Sequence, residues 1–405
     1  MAREVKGEGR GGFVFYLLKF GIFRKKLYLC TAKVKQTNNN KHNTYMKKLF
    51  TLLLALVATS ALWAYDFQVD GIYYNILTDK TNEVEVTYGS SKYTGSVDIP
   101  TTVAHNGTTY SVTSIGRQAF YSCSGVTSVA IPTSVKTIGG GAFNGCSGLT
   151  SMLIPKSVES IGEWAFYSCK GLVSITIPNS VTSAEKGAFA YCSGLTSIAI
   201  SNSLTNIGEM MFQCCTSLAS ITIPNSVKSI GNNAFEKCVS LTSVVIPNSV
   251  TTIGKQAFYN CVGLNSISIG NSVNSIGGGA FNGCSGLTSV TIPNSIESIG
   301  DWAFYSCSLL KEVICYAEEI PATGAGVFAS TPQSQATLYV PDTALEAYKT
   351  AEQWKDFGTI LSIQEIENGV ENTYIPSANT QKISRNGQLI LIRDGVEYNA
   401  MGAEL

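Results

Sequence analysis

The sequence predicts a β-rich solenoid: about nine stacked 23-residue coils, terminal caps and a C-terminal β-hairpin segment. The first observation is period. Cys123, Cys146, Cys169, Cys192, Cys215, Cys238, Cys261, Cys284 and Cys307 recur at a strict spacing of 23, and a phenylalanine stands three residues before each, from Phe120 to Phe304. A fixed period of this size without insertions marks a repeat architecture, in which each unit buries its apolar face against its neighbours. The second is the switch of apolar spacing inside the unit. In Leu172-Val173-Ser174-Ile175-Thr176-Ile177-Pro178, Ile175 and Ile177 alternate about Thr176 as in a short strand with one buried face.

The elements of the unit follow in order. Pro178 closes the first strand because it has no N–H to give a ladder. A second short extended stretch follows, as in Val227-Lys228-Ser229-Ile230, and Gly231 supplies the permissive backbone of a corner. Ala234-Phe235-x-x-Cys238 is then expected to form one tight helical turn that drops Phe and Cys inward. Roughly eight inward side chains gain about 1.5–3 kcal/mol each. Fixing the backbone costs about 1–2 kcal/mol per residue, so one coil cannot stand alone. At about 4.8 Å per paired strand, nine coils make a rod roughly 43 Å long.

The flanks read differently. Met46-Lys47-Lys48, the apolar run Leu49–Val57 and Ala61-Leu62-Trp63-Ala64 have the layout of a secretory signal peptide, with an apolar core too short to span a membrane. Residues 46–64 are expected to be that signal, with Met46 the start and 1–45 a mis-called leader; the other reading of 1–45 is a genuine extension. No transmembrane span is expected in the mature chain. Residues 65–111 form an N-terminal cap, 112–333 the solenoid, and 334–364 a C-terminal cap with strand-like Ala336–Pro341 and an amphipathic helix over Ala344–Phe357. A polar linker, 365–380, leads to 381–405, read as a β-hairpin with an Asp394-Gly395 turn.

Charge narrows the partners. Residues 1–64 hold 12 of the 28 Lys/Arg and 2 of the 28 Asp/Glu, so the remainder carries 16 basic and 26 acidic groups, a net −10. Val112–Leu309 is nearly neutral, with 8 basic and 7 acidic side chains. A chain without a basic stripe is not built for phosphate backbones, which argues against nucleic acid. One cysteine per coil at an inward site reads as a column of buried free thiols rather than a disulfide framework. Cys214 and Cys315 lie off that column and are the expected exposed thiols. With only His42 and His105 and no paired C-x-x-C, neither a metal nor a cofactor is expected. His105, beside Asn106-Gly107, reads as a turn residue. The isolated carboxylates give no acid–base pair, so no catalytic residue is assigned.

The L-x-x-V-x-I core together with I-P-N-S-V-x-S-I-G (best copy 223–231) and A-F-x-x-C resembles the BspA-like leucine-rich-repeat family of bacterial surface and secreted proteins. Local departures are Ala184-Glu185 for I-G, Ser201 and Gly270 for the proline, and Met211 for Ala; these should loosen corners without breaking the stack. Residues 338–348, L-Y-V-P-D-T-A-L-E-A-Y, resemble the family's terminal unit. The tail resembles the C-terminal sorting segment of exported Bacteroidetes proteins. The resemblance implies a secreted or outer-surface, non-enzymatic protein that adheres to host or neighbouring-cell macromolecules, extracellular proteins or glycans; a carbohydrate-binding surface protein is the alternative.

Candidate ligand-binding residues are the aromatics flanking A-F: Tyr121, Trp164, Tyr167, Tyr191, Tyr259, Trp302 and Tyr305. Aromatic rings are enriched at interfaces and can stack on sugars. The competing reading is an outer packing layer laid over adjacent coils. Segment 112–171 resembles 250–309 at an offset of 138, six repeats, so the Trp164/Tyr167 and Trp302/Tyr305 settings are duplicated roughly 29 Å apart at strand spacing.

Overall fold

The structure, a computed structural model, describes residues 65–365 and the strands Thr380–Arg385, Gln388–Arg393 and Val396–Asn399. The expected signal peptide and the residues before it lie outside the described residues. The architecture is a β-solenoid of about 11 turns, so the stack runs beyond the nine copies legible in sequence.

Each coil has three faces, and in each face backbone groups bond to the next coil. On the first, three- to five-residue strands such as Ser151–Leu153, Ser174–Thr176 and Ser197–Ala199 pair in parallel and in register at an offset of 23. On the second, two-residue strands such as Ser229–Ile230, Thr252–Ile253 and Ser275–Ile276 do the same. Their inward residues, Ile175 and Ile253 among them, are buried, and the alternate positions face water.

The third face corrects the expectation of a helical turn at A-F-x-x-C. No helix forms there; the segment is a run of tight turns whose N–H groups alternate in direction. Ala234, Glu236 and Cys238 donate within the coil, to Gly231, Asn233 and Phe235, at 3.1–3.4 Å. Asn233, Phe235 and Lys237 donate to the next coil, to the carbonyls of Lys255, Ala257 and Tyr259, at 2.7–2.9 Å. A helix would spend all of these groups inside one coil. Alternation gives the coil its third lateral ladder and leaves few orphan amides. It requires a left-handed backbone two residues before and two residues after each Phe: Asn233 has φ 57° and Lys237 φ 58°.

The core is a column. Phe120 through Phe304 and then Phe328 stack ring on ring at centroid separations of 5.0–6.0 Å. Tyr93 closes the column at one end, 4.6 Å from Phe120, and Trp354 and Phe357 close it at the other by edge contacts. Beside it runs the thiol column. The described cysteines are free, and from Cys146 to Cys307 each Sγ donates to the carbonyl of the Phe one coil back, at 3.0–3.3 Å. Burial pushes the thiols of Cys146, Cys261 and Cys307 up to about 12.

Two further expectations are corrected. Cys315 is buried, not exposed: it ends strand Glu312–Cys315, pairs with Ile292 and so inherits an inward core position, where it meets the Tyr348 hydroxyl at 3.2 Å. Cys214 is half-exposed, as expected. The helix over Ala344–Phe357 shrinks to one α-turn, Leu345–Tyr348, preceded by a 3-10 turn. Tyr348, Trp354 and Phe357 are all buried against the last coils. On a straight helix Tyr348 would lie about 120° from Trp354 and about 180° from Phe357, so the chain breaks into turns that aim all three inward.

The departures at Ala184-Glu185, Ser201 and Met211 concentrate their effects. The second-face sheet is interrupted between Ser183–Ala184 and Asn206–Ile207, and the widest break of the first lies between Ser197–Ala199 and Ser243–Val245, where Ser220 and Ser243 make a lone bridge. Single-step breaks of the first also fall between Val126–Ala130 and Ser151–Leu153 and between Ser266–Ser268 and Ser289–Ile292. Phe189–Phe212, at 6.0 Å, is the widest ring pair of the Phe column. The third-face ladder crosses the gap unbroken, Gly187 N–H to Glu209 and Phe189 N–H to Met211. The corners loosen; the stack holds.

The N-terminal cap has six strands: β1 (Phe67–Val69), β2 (Ile72–Ile76), β3 (Glu83–Thr87), β4 (Gly95–Asp98), β5 (Thr102–His105) and β6 (Thr108–Ile115). Strands β1–β2–β3 extend the second-face sheet past β6, and β4 extends the first face by pairing in parallel with Val126–Ala130. His105 is not itself a turn residue, as sequence suggested, but the last residue of β5, ahead of a two-residue turn in which Asn106 and Gly107 have φ 48° and 77°, and its ring stacks on Phe67 at 4.2 Å. The tail forms a three-stranded antiparallel sheet rather than a single hairpin; Asp394-Gly395 separates the last two paired strands.

Candidate functional site

All seven candidate aromatics project from the third face, because their slots flank the buried Phe. Trp164 and Trp302 stand two residues before it, Tyr121, Tyr167, Tyr259 and Tyr305 one after, and Tyr191 two after. Trp164, Trp302 and Tyr191 therefore sit on left-handed backbone, φ 57°, 55° and 62°. Other coils fill the tryptophan slot with Gly141, Gly187, Gly279 or Gly326. A large side chain there works against an intrinsic preference of about 1–2 kcal/mol.

The structure brings three candidates together. The Trp164 ring meets Tyr167 edge-on at 5.4 Å, and Tyr167 meets Tyr191 at 5.1 Å, a continuous aromatic patch over two coils. Trp164 Nε1 donates to Glu163 Oε1 at 2.7 Å. Its ring also lies across Gly187 of the next coil, so close that a Cβ built on that glycine would fall 2.0 Å from Trp164 Cζ3. Trp164 is half-buried in this seat, which supports the packing reading for that residue.

The duplicated setting does not reproduce the patch. Trp302 is 53% exposed and makes no ring contact with Tyr305. The cause is local. Phe304 to Phe328 spans 24 residues instead of 23, and Ser330 stands in the slot that Tyr191 fills beside Tyr167. Tyr121 and Tyr191 are each 40% exposed, whereas Tyr167, Tyr259 and Tyr305 are half-buried.

Sequence reasoning missed two neighbours of these rings. Lys92, from the aperiodic cap, places its ammonium 5.4 Å from the Tyr121 ring centre and donates to the Tyr121 carbonyl. Cys214 fills the slot next along from Tyr191; burial raises its thiol, and the sulfur beside it is the main cause of the raised Tyr191 hydroxyl. The common slot, two residues after Phe, was the signal available for Cys214. On the first face the outward position is not uniformly small: Leu153 is 79% exposed. Among the described residues no group of three or more His, Cys, Asp or Glu is placed to hold a metal ion, and no helix is long and apolar enough to cross a membrane.

Parallel rungs at a 23-residue period, each seating one Leu and alternating Ile or Val inward, define a leucine-rich-repeat solenoid. The model of the BspA-type leucine-rich repeat region matches residues 113–242 and 228–351, more than half of the chain, and the protein belongs to that family. No curated protein matches it. Among solved structures it is similar to a leucine-rich repeat protein from Bacteroides ovatus (26% identity, 74% of this chain and 100% of that one, TM-score 0.36). It is also similar to a leucine-rich cell surface protein from Faecalibacterium prausnitzii (25% identity, 73% and 94%, TM-score 0.33). A third is a leucine-rich repeat protein from T. pallidum (28% identity, 55% and 90%, TM-score 0.40).

Proposed function

We propose that this protein is exported and works, without catalysis, as a binding protein at or beyond the cell surface, an adhesin for host or neighbouring-cell macromolecules. The observation that carries the reading is the exposure of Tyr121, Tyr191 and Trp302 on one face, with Trp302 more than half open to solvent. Aromatic rings of this kind supply large contact area for little conformational entropy. Membership of the BspA-type family and the signal-like segment 46–64 support export. Trp302 is the foremost contact, with Trp164 shaping the patch that presents Tyr191.

The test is a screen of the purified protein against immobilised matrix proteins and a glycan array, repeated with Trp302→Ser, Trp164→Ser and the double variant. Loss of a protein ligand in folded Trp302→Ser is expected. Retention of only glycan ligands would shift the reading to a carbohydrate-binding protein, for which a bare indole face is suited. Full binding by the folded double variant would refute the aromatic site. Export is checked by N-terminal sequencing of the natural product, expected to begin near Tyr65; intact residues 1–45 on the exported protein would overturn it.

A further inference from the structure

The N-terminal end of the first-face sheet is open. Its outermost strand, β4, pairs on one side with Val126–Ala130, and among the described residues no strand pairs with its other side. In sequence β4 is itself a rung. Ser96-Val97-Asp98-Ile99-Pro100 repeats Ser128-Val129-Ala130-Ile131-Pro132 of the first full coil, with the same inward Val. The stack therefore ends on the backbone surface that, in most coils behind it, receives another strand. Proteins normally blunt such an edge or cover it, because its free N–H and C=O groups template pairing. On the second face that cover exists, as β3, β2 and β1 continue the sheet outward. On the first face the corresponding space is a cleft.

That cleft is about 630 Å³ and runs beside β4, between the β1–β2 turn and β5. Val69, Ile72, Val97 and Val103 contribute its apolar lining, and Asp70, Lys92 and Asp98 its charged groups. Lys92 is turned to the Tyr121 carbonyl and ring. Asp70 and Asp98 are exposed, and neither enters an ion pair among the described residues. Unpaired backbone, pockets on an apolar floor and two uncompensated carboxylates are the ingredients of peptide capture by strand addition. In that mode main-chain hydrogen bonds give affinity, and pockets for alternate side chains give specificity.

We propose that β4 is a docking edge for an extended polypeptide segment of alternating apolar residues flanked by Lys or Arg. The segment pairs along Gly95–Asp98 as the next rung, seats its apolar side chains over Val97 and the β1–β2 turn, and sets its basic flank against Asp70 and Asp98. This site adjoins the aromatic face only through Lys92 at Tyr121 and does not include Trp164 or Trp302, and its occupant is a strand rather than a surface.

The probe is a fluorescein-labelled peptide, Lys-Thr-Ser-Val-Thr-Ile-Lys, which copies the rung pattern of Thr288–Ile292 with basic ends. Polarisation titration against the purified protein is expected to saturate. Methylating the backbone nitrogens at alternate positions, in both registers, is expected to weaken binding at least tenfold, because it removes ladder donors while keeping the side chains. Asp70→Lys/Asp98→Lys, at two exposed positions, is expected to weaken the parent peptide similarly while the melting profile stays intact. Amide exchange should slow within Gly95–Asp98 when the peptide is bound. Trp164→Ser/Trp302→Ser should bind the peptide normally, which separates this edge from the aromatic reading. No saturable binding, equal binding of the N-methylated peptides, or binding indifferent to the Asp variants would overturn the proposal.

Discussion

Gly187→Ala separates the two roles open to Trp164. Gly187 lies at φ 61°, where an alanine costs about 1–2 kcal/mol on backbone grounds alone. Its new Cβ would fall 2.0 and 2.1 Å from Trp164 Cζ3 and Cε3, so the indole must leave. With it go the edge contact to Tyr167, about 0.5–1.5 kcal/mol, and the hydrogen bond to Glu163, about 1 kcal/mol at most on a partly exposed site. The expected loss is about 2–4 kcal/mol. In a Trp164→Ser background the ring is already gone, so Gly187→Ala should cost only the backbone part, leaving a coupling of about 1–2 kcal/mol in the double-mutant cycle. Urea midpoints read the energies, and tryptophan emission should shift red in Gly187→Ala as the indole enters water. Gly326→Ala is the control: a Cβ there lies 3.0 Å from Trp302 Cδ1, a milder conflict. If Gly187→Ala costs the same with and without Trp164, the indole is not seated on that glycine. The packing role then fails and Trp164 returns to the list of free contacts.

Two further outcomes follow from the columns. Buried thiols held above their ordinary value of about 9 keep their protons in the folded chain while the unfolded chain ionises, so stability should fall steadily from pH about 9 toward about 12, by up to about 1.4 kcal/mol per pH unit per thiol. Denaturation midpoints at a series of pH values check the slope, and a flat profile between pH 8 and 10.5 would contradict the buried, protonated ladder. Ala184→Ile, which restores the residue found at Ile161 and Ile207 in the flanking coils, should stabilise by about 1 kcal/mol and slow amide exchange at Asn206–Ile207. A destabilised variant would mean that the space beside Ala184 is already filled.

Much of this architecture was legible because the inward positions repeat. One Phe, one Cys and alternating Ile or Val per 23 residues suffice to place the core column and two strand faces. The third face was not legible as it stands. Its left-handed positions hold Gln118, Trp164, Met210, Asn233, Gln256 and Trp302 as well as glycines, so residue type hides the conformation. The hints were Gly141, Gly187, Gly279 and Gly326 recurring in one slot and Gly145 and Gly283 in the other. Cys315 misled because it lies off the 23-residue ladder, yet strand register carried it into a different inward row. The C-terminal cap misled because helix-forming residues were read without asking whether Tyr348, Trp354 and Phe357 could share one helix face. At the candidate site the residues were visible and their inequality was not. A single inserted residue after Phe304 and a Ser in place of Tyr make the second copy of the patch a bare tryptophan.

The division of labour within a coil leaves the third face free to carry the recognition proposed above. Its lateral ladder is made of backbone groups, from Phe235 N–H to the Ala257 carbonyl and onward, so its one demand on outward residues is the left-handed backbone two positions either side of Phe. Stability comes from the inward Phe and Cys, which vary little along the stack. The slots one and two residues beyond Phe can therefore carry Tyr121, Asn144, Tyr191, Cys214 or Lys237 without altering a single lateral bond. The first face is less free, because its outward residues lie on strands where neighbours at the same register meet side by side. Surface chemistry on the turn face can change coil by coil while the rod beneath it stays the same. Trp302, 53% exposed, and Trp164, half-buried in the same slot, show how far one position of that face can differ while the rod is kept.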